Sequence, residues 1–209
     1  MRVRLTFTKQ GPLRYIGHLD LHTLLERGMR RAGWPLAYSQ GFHPKPRIQL
    51  ASALPLGFTS RAELADVWLN AEVNLAELRH RLQAVLPKGI DILGITEVDE
   101  RAPALQTQLL AAEYEASLPA ELASRLPPRL IALLQASSLP RQRRGKPYDL
   151  RPLIHALDLY PSPDGERAIL FMRLSARQGA TGRPEEVLDA LDIPLDDARI
   201  ERTRLIFAS

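Results

Sequence analysis

Residues 38–47, Tyr-Ser-Gln-Gly-Phe-His-Pro-Lys-Pro-Arg, place two rings, an imidazole and two cations within ten positions. A nucleic-acid site needs cations for phosphates, rings to stack on bases and hydrogen-bonding groups for base edges or the 2′-hydroxyl, and this stretch holds all three. Pro44 and Pro46 remove backbone donors and fix φ, while Gly41 permits a turn. Tyr38, Phe42, His43, Lys45 and Arg47 are therefore expected on a constrained loop rather than on a helix or strand. The plain alternative is a solvated connection with its rings packed beneath it, because isolated aromatics more often serve a core than a binding platform.

Two further segments carry the same ingredients. Arg14-Tyr-Ile-Gly-His18-Leu-Asp20 runs into a helix whose polar face includes Arg27 and Arg31. His18 and His22 stand four apart, but His-x-x-x-His lacks the glutamate of a zinc-protease helix and no third ligand is evident, so no metal site is assigned. His18 and Asp20 are expected to cap the helix, and a capped N-terminus beside Arg14 suits a phosphate. The other segment, Arg141 to Pro152, holds five cations against one acid. There Arg144, Lys146 and Arg151 are candidate phosphate contacts, and Asp149 and Arg151 could form an internal pair that sets the turn. A charge run of this kind is also what an ordinary solvated loop looks like.

Catalysis has little support. No Gly-x-Ser-x-Gly elbow, Walker loop or Gly-x-Gly-x-x-Gly fingerprint is present, and the carboxylates are scattered. His18 or His43 as general acid or base of a metal-free ribonuclease is the one catalytic arrangement the residues allow. The chain thus reads as a binding protein before it reads as an enzyme, and no cofactor is expected within it.

Charge sharpens the binding reading. The net charge is +4, yet residues 1–60 hold nine Lys/Arg (2, 4, 9, 14, 27, 30, 31, 45, 47) against two acids, or +7, and the remainder is −3. A basic third on a near-neutral body points to a localised anionic partner, for which a phosphate backbone is the common case. With no cysteine, the chain has no disulfide framework, thiolate zinc site, cysteine nucleophile or cysteine-ligated iron–sulfur cluster of its own. At 45% apolar and 25% charged residues it has ordinary globular composition, without an 18-residue apolar run or a signal-peptide core near Met1. The expected location is the cytoplasm.

The elements that must position these residues follow from periodicity. Val3, Leu5 and Phe7 alternate with Arg2, Arg4, Thr6 and Thr8 as in a strand. Leu21, Leu24, Leu25, Gly28, Met29 and Ala32 form one stripe of a helix that ends before Gly33. Strands are expected over 47–51 and 62–69, a helix from a cap at Asn74 to Pro87, and a strand through Ile90–Ile95. The order is β-α-β-β-α-β, the ferredoxin-like plan, with helices on one face of an antiparallel sheet and the other face open. After Pro103 the pattern restarts: a strand over 106–118, a proline-interrupted helix over 121–136, strands near 137–143, 153–160 and 167–175, a turn at Ser162-Pro-Asp-Gly165, a helix over 184–191 and a strand over 199–207. The expectation is an α+β protein of tandem ferredoxin-like (βαββαβ) halves, 1–100 with the His/aromatic loop and 104–209 with the basic loop 141–152.

Gly-His18-Leu-Asp20-Leu, Glu26-Arg27-x-x-Arg30-Arg31-Ala, Tyr38-Ser-Gln-Gly-Phe-His-Pro-Lys-Pro-Arg47, Ala53-Leu-Pro-Leu-Gly57 and Asp149-Leu-Arg-Pro-Leu-Ile154 together resemble the radical-SAM-linked family, bacterial proteins of unassigned function. The likeness covers nearly the whole chain and is densest over residues 12–57. It implies a separate chain or C-terminal extension associated with radical S-adenosylmethionine proteins and tending to be encoded near ribosome and RNA-processing functions. The doubled plan is also similar to that of CRISPR RNA-processing proteins of the repeat-associated type, an analogy of fold that does not carry function. The resulting expectation is an RNA-binding accessory protein that presents substrate to, or works with, a radical S-adenosylmethionine partner. In it Arg14, Arg27, Arg31, Lys45, Arg47, Arg144, Lys146 and Arg151 would meet phosphates, Tyr38 and Phe42 would stack, and His18 and His43 would reach base edges. The alternatives are a protein-docking partner of that enzyme without nucleic-acid binding, and a metal-independent endoribonuclease of the repeat-associated type.

Overall fold

In a computed structural model that describes residues 1–162 and 165–208, the chain is α+β and divides into two compact units, Met1–Gln108 and Leu109–Ser209.

In the first unit the alternation of β1 (Arg2–Lys9) does what the sequence pattern implies: Val3, Leu5 and Phe7 are fully buried. They pack with Leu21, Leu25 and Met29 of α1 (His18–Arg31), and with strands β2 (Ile48–Leu50) and β3 (Thr59–Trp68). The same core takes Leu78 and Leu82 of α2 (Leu75–Val85) and Ile92 at the head of β4 (Ile92–Val98). The strands lie in the order β2-β3-β1-β4, every pair antiparallel. Asn74 caps α2, its Oδ1 accepting the N–H groups of Ala76 and Glu77 at 3.0 and 3.1 Å. Gly28 lets α1 approach α2, since a Cβ there would meet Leu86 Cδ2 at 2.8 Å.

The sequence pattern implies an open second face for this sheet, and at Arg2 that face is closed. Arg2 (1% exposed) and Arg4 share the carboxylate of Asp66 (0% exposed), Arg2 donating from Nε at 3.0 Å and Arg4 from Nε and Nη2 at 2.8 and 3.0 Å. Arg2 also donates to the carbonyls of Ala102 (2.5 Å) and Pro103 (3.0 Å), pinning the end of the unit across its sheet. Two of the nine N-terminal cations are therefore engaged by one buried carboxylate of the fold. A third, Lys9, is 1% exposed and donates to the carbonyls of Arg14 and Ile16 at 3.4 and 3.1 Å.

The strand expected from 106 begins later. Residues 105–108 form a helical turn, α3 (Leu105–Gln108), in which Ala104 O accepts both N–H and hydroxyl of Thr107 and Gln106 Nε2 donates to Leu50 O at 2.9 Å. Side-chain bonds to nearby backbone displace the ladder there. In the second unit, β5 (Leu109–Pro119) buries Ala112, Tyr114, Ala116 and Leu118. The helical stretch that follows is two pieces, α4 (Ala120–Ala123) and α5 (Pro127–Gln135), because Pro127 and Pro128 can only begin a helix. The strand expected near 137–143 is one arm of a separate hairpin, β6 (Pro140–Arg143) with β7 (Lys146–Asp149). Then come β8 (Ile154–Pro161), β9 (Arg167–Arg177), the two-residue β10 (Ala180–Thr181), α6 (Pro184–Ala190) and β11 (Arg199–Phe207). The main strands of this unit run β8-β9-β5-β11, again antiparallel throughout. The central positions of the turn expected at 162–165 lie outside the described residues.

Candidate functional site

Residues 37–47 leave α1 and return to β2 as a loop with a closed stem. Ser39 N–H donates to Lys45 O at 2.8 Å, Lys45 N–H to Ser39 Oγ at 3.0 Å, and Arg47 N–H to Ala37 O at 2.8 Å. Tyr38 and Pro46 pair as an isolated bridge, and Pro46 is buried. A proline that needs no donor on that side and a serine that bonds backbone suit such a stem. Beyond it the tip, 40–44, turns through Gly41 (φ 121°) and holds Phe42 wholly in solvent, 101% exposed, with His43 and Lys45 also exposed.

Rings and guanidinium groups decide which cations stay available. Tyr38 is 41% exposed and carries Arg30 over its ring at 5.6 Å, while Arg30 also pairs with Glu26 at 2.9 Å. Arg47 lies 4.6 Å from the centre of the Trp68 ring, which Arg2 approaches at 4.8 Å. Trp68 thus fixes Arg47 by cation–π contact. Arg14 is half-buried against Tyr15 at 4.9 Å. The exposed side chains of Arg27, Arg31, His43 and Lys45 have no ion-pair or hydrogen-bond partner among the described residues.

The helix divides the expected patch. His22, Glu26 and Arg30 share one stripe of α1; His22 Nε2 bonds Ile48 O at 3.3 Å and Arg30 covers Tyr38, so this stripe faces the loop and β2. Arg27 and Arg31, with Asp20 and Thr23, line a groove closed by Val85, Leu86 and Pro87 at the end of α2. One residue along a helix is about 100° of rotation, so Arg30 and Arg31 address different neighbours. The helix cap is Gly17, with Asp20 returning its carboxylate to the Gly17 N–H at 3.4 Å, and His18 is the first helical residue, half-buried. Among the described residues no group of three or more His, Cys, Asp or Glu is placed to hold a metal.

In the second unit Arg144 and Lys146 stand exposed at the tip of the β6–β7 hairpin, whereas Arg151 turns inward. Arg151 donates to Leu134 O at 2.7 Å and Ile154 O at 3.2 Å, leaving its fork occupied by backbone. The Asp149–Arg151 pairing runs through the main chain: Asp149 Oδ1 accepts the N–H of Leu139 at 2.7 Å and of Arg151 at 2.9 Å, and these bonds hold its carboxyl below the usual range. Arg143 grips Glu186 through Nε and Nη2 at 2.6–3.1 Å and Thr181 O at 3.0 Å, and lies over the Tyr148 ring at 4.7 Å. Burial, with Glu186 alongside, pushes the Tyr148 phenol up to about 12. Glu186 and Trp68 are residues that sequence pattern does not single out. Their only local signs are an acid in the first turn of α6 and a tryptophan in a strand.

A family model described as an uncharacterized protein conserved in bacteria (DUF2344) matches residues 2–184, which span both the aromatic loop and the hairpin. The chain belongs to this family. A search of curated proteins gives no match. No helix among the described residues is long and apolar enough to cross a membrane.

Proposed function

We propose that this family member is an RNA-binding accessory protein that presents substrate RNA to, or works with, a radical S-adenosylmethionine partner enzyme, and that its two units are ferredoxin-like halves. The reading rests on Phe42: a phenylalanine held entirely in solvent at the tip of a hydrogen-bonded loop, flanked by His43 and Lys45. Burying such a ring elsewhere would contribute roughly 1.5–3 kcal/mol to folding, so its display favours a use outside the fold. Stacking on an unpaired base is a use that needs no shape-matched pocket, and Lys45 beside it suits the adjoining phosphate. The matching strand order of the two units supports the ferredoxin-like plan.

The test is fluorescence anisotropy with total bacterial RNA. Binding at low ionic strength that weakens steeply with salt is expected, and its absence at low salt overturns the reading. Lys45→Ala is the clean charge probe. Arg47→Ala also strips the Trp68 ring, so its effect would mix packing with binding.

A second reading, docking onto the partner enzyme without RNA, is favoured by other exposed apolar groups of the same unit, Tyr15 (66%), Leu19 (79%) and Leu56 (63%). Under it Phe42→Ala abolishes co-purification with the enzyme and Lys45→Ala leaves the chain's behaviour toward RNA unchanged.

A further inference from the structure

The β6–β7 hairpin of the second unit sorts its cations into two classes. Those along its arms are matched by acids of α6: Arg143 with Glu186 at 2.6 Å and Arg141 with Asp189 at 3.7 Å. Those at its tip, Arg144 and Lys146, are exposed and have no ion-pair or side-chain hydrogen-bond partner among the described residues. Its base is fastened by Asp149 Oδ1 to the N–H groups of Leu139 and Arg151, and by Leu150 N–H to Leu139 O at 2.9 Å. The tip is thus a pair of unmatched charges on a mount that its neighbours hold still.

The turn adds an independent sign. Arg144 and Gly145 both have positive φ, 51° and 76°, in a two-residue connection between Arg143 and Lys146. That is the pattern of a type I′ turn, whose first position favours asparagine or glycine. An arginine there is strained, and its side chain has no bond among the described residues that would offset it. A cation kept where the backbone disfavours it, with no partner among the described residues, suits a ligand outside the fold.

We propose that this hairpin is a second RNA contact that grips phosphates and reads no base, resting on the RNA-binding reading above. Its tip carries charge without an exposed ring, since Tyr148 is half-buried under Arg143. The ligand chemistry is the sugar-phosphate backbone of single-stranded RNA, and the hairpin contributes affinity and salt dependence without sequence preference.

The deciding variant is Arg144→Asn with Lys146→Gln. Asn-Gly is the favoured type I′ pair, so the variant should melt at or above the parent temperature, separating loss of binding from loss of fold. With a fluorescein-labelled 20-nucleotide single-stranded RNA, leaving two phosphates without their cations should lower affinity on the order of 20-fold at 0.1 M salt. The slope of log K against log salt should become shallower by about 1.4, at roughly 0.7 for each single-strand phosphate no longer neutralised. The change should be alike for oligonucleotides of different sequence. If the parent binds and the variant keeps the parent's slope, or loses affinity for only some sequences, the hairpin proposal is overturned and the RNA-binding reading stands. If the parent itself binds no RNA, both fall.

Discussion

Each unit passes from a helix to its next sheet strand through a basic segment containing Gly, Pro and a ring, yet the two segments end in opposite arrangements. In the first unit, residues 37–47 close on a stem built by Ser39 and Lys45, and the ring at the tip is bare. In the second, residues 140–149 form a two-stranded hairpin in which the ring is tucked under an arginine and cations are bare. The residue types are similar, and the difference lies in what the rest of each unit supplies. Arg143 and Arg141 meet Glu186 and Asp189 from α6, whereas Lys45 and His43 meet no carboxylate among the described residues. A cation's availability is therefore set by the partners the rest of its unit supplies, here acids of α6, and not by the density of charge around it.

Removing a matched acid from inside the fold should have the largest effect. Asp66→Asn leaves buried Arg2 without its carboxylate, and breaking one partner of a buried pair costs about 3–5 kcal/mol. In thermal unfolding followed by circular dichroism this should lower the midpoint by about 6–20 °C, at roughly 2–4 °C per kcal/mol for a chain of this size. A variant that melts with the parent would show that Arg2 and Arg4 are not structural cations.

Glu186→Gln is the corresponding test in the second unit and should cost less, since Arg143 is only partly buried. Loss of charge-assisted bonds predicts about 1–3 kcal/mol in denaturant unfolding. The freed guanidinium joins the tip cations, so the salt slope of RNA binding should steepen by about 0.7. An unchanged slope would mean that the acid does not decide which cations reach the ligand.

In the first unit, Phe42→Ala removes the bare ring and leaves every charge in place. The ring is buried by nothing in its own unit, so stability should move by less than about 0.5 kcal/mol. RNA affinity should fall by about 1–3 kcal/mol, the worth of one stacked base, with the salt slope unchanged because every phosphate keeps its cation. Affinity that is untouched would remove the ring from the site.

How far these differences can be read from the chain alone depends on the distance over which they are encoded. The β1 alternation, the α1 stripe and the Asn74 cap are local patterns, and the structure follows them. The loop at 38–47 is equally legible, because two prolines and a glycine constrain it whatever surrounds it. The roles of Arg2, Arg4, Lys9, Arg47 and Arg151 are not. Each is spoken for by Asp66, Trp68 or backbone carbonyls, and for Arg2 and Arg4 the partner lies 64 and 62 residues away. The one clue in reach is Asp66 itself, an acid set between the apolar residues Ala65 and Val67 in β3. The hairpin escapes a reading of the sequence for a different reason: Arg-Gly is not a favoured turn pair, so the run looks like a solvated loop.

The smallest effect distinguishes the two loops by pH. The hairpin base is closed by a carboxylate, and the loop stem by a hydroxyl that does not titrate in this range. Asp149 is held below its ordinary value by the Leu139 and Arg151 N–H groups, so its stabilising contribution is complete above the unfolded pKa near 3.8. It is lost as pH falls through the lower folded value, because protonation weakens an acceptor that two donors share. Amide exchange read by mass spectrometry between pH 5 and 3 should therefore show Leu139 and Arg151 losing protection below about pH 4, with Ser39 and Lys45 showing no step of their own. Asp149→Asn keeps an acceptor oxygen but no charge, and should flatten the step at Leu139 and Arg151. A step that survives that substitution would place the titrating group elsewhere and end the contrast between a carboxylate-closed and a hydroxyl-closed loop.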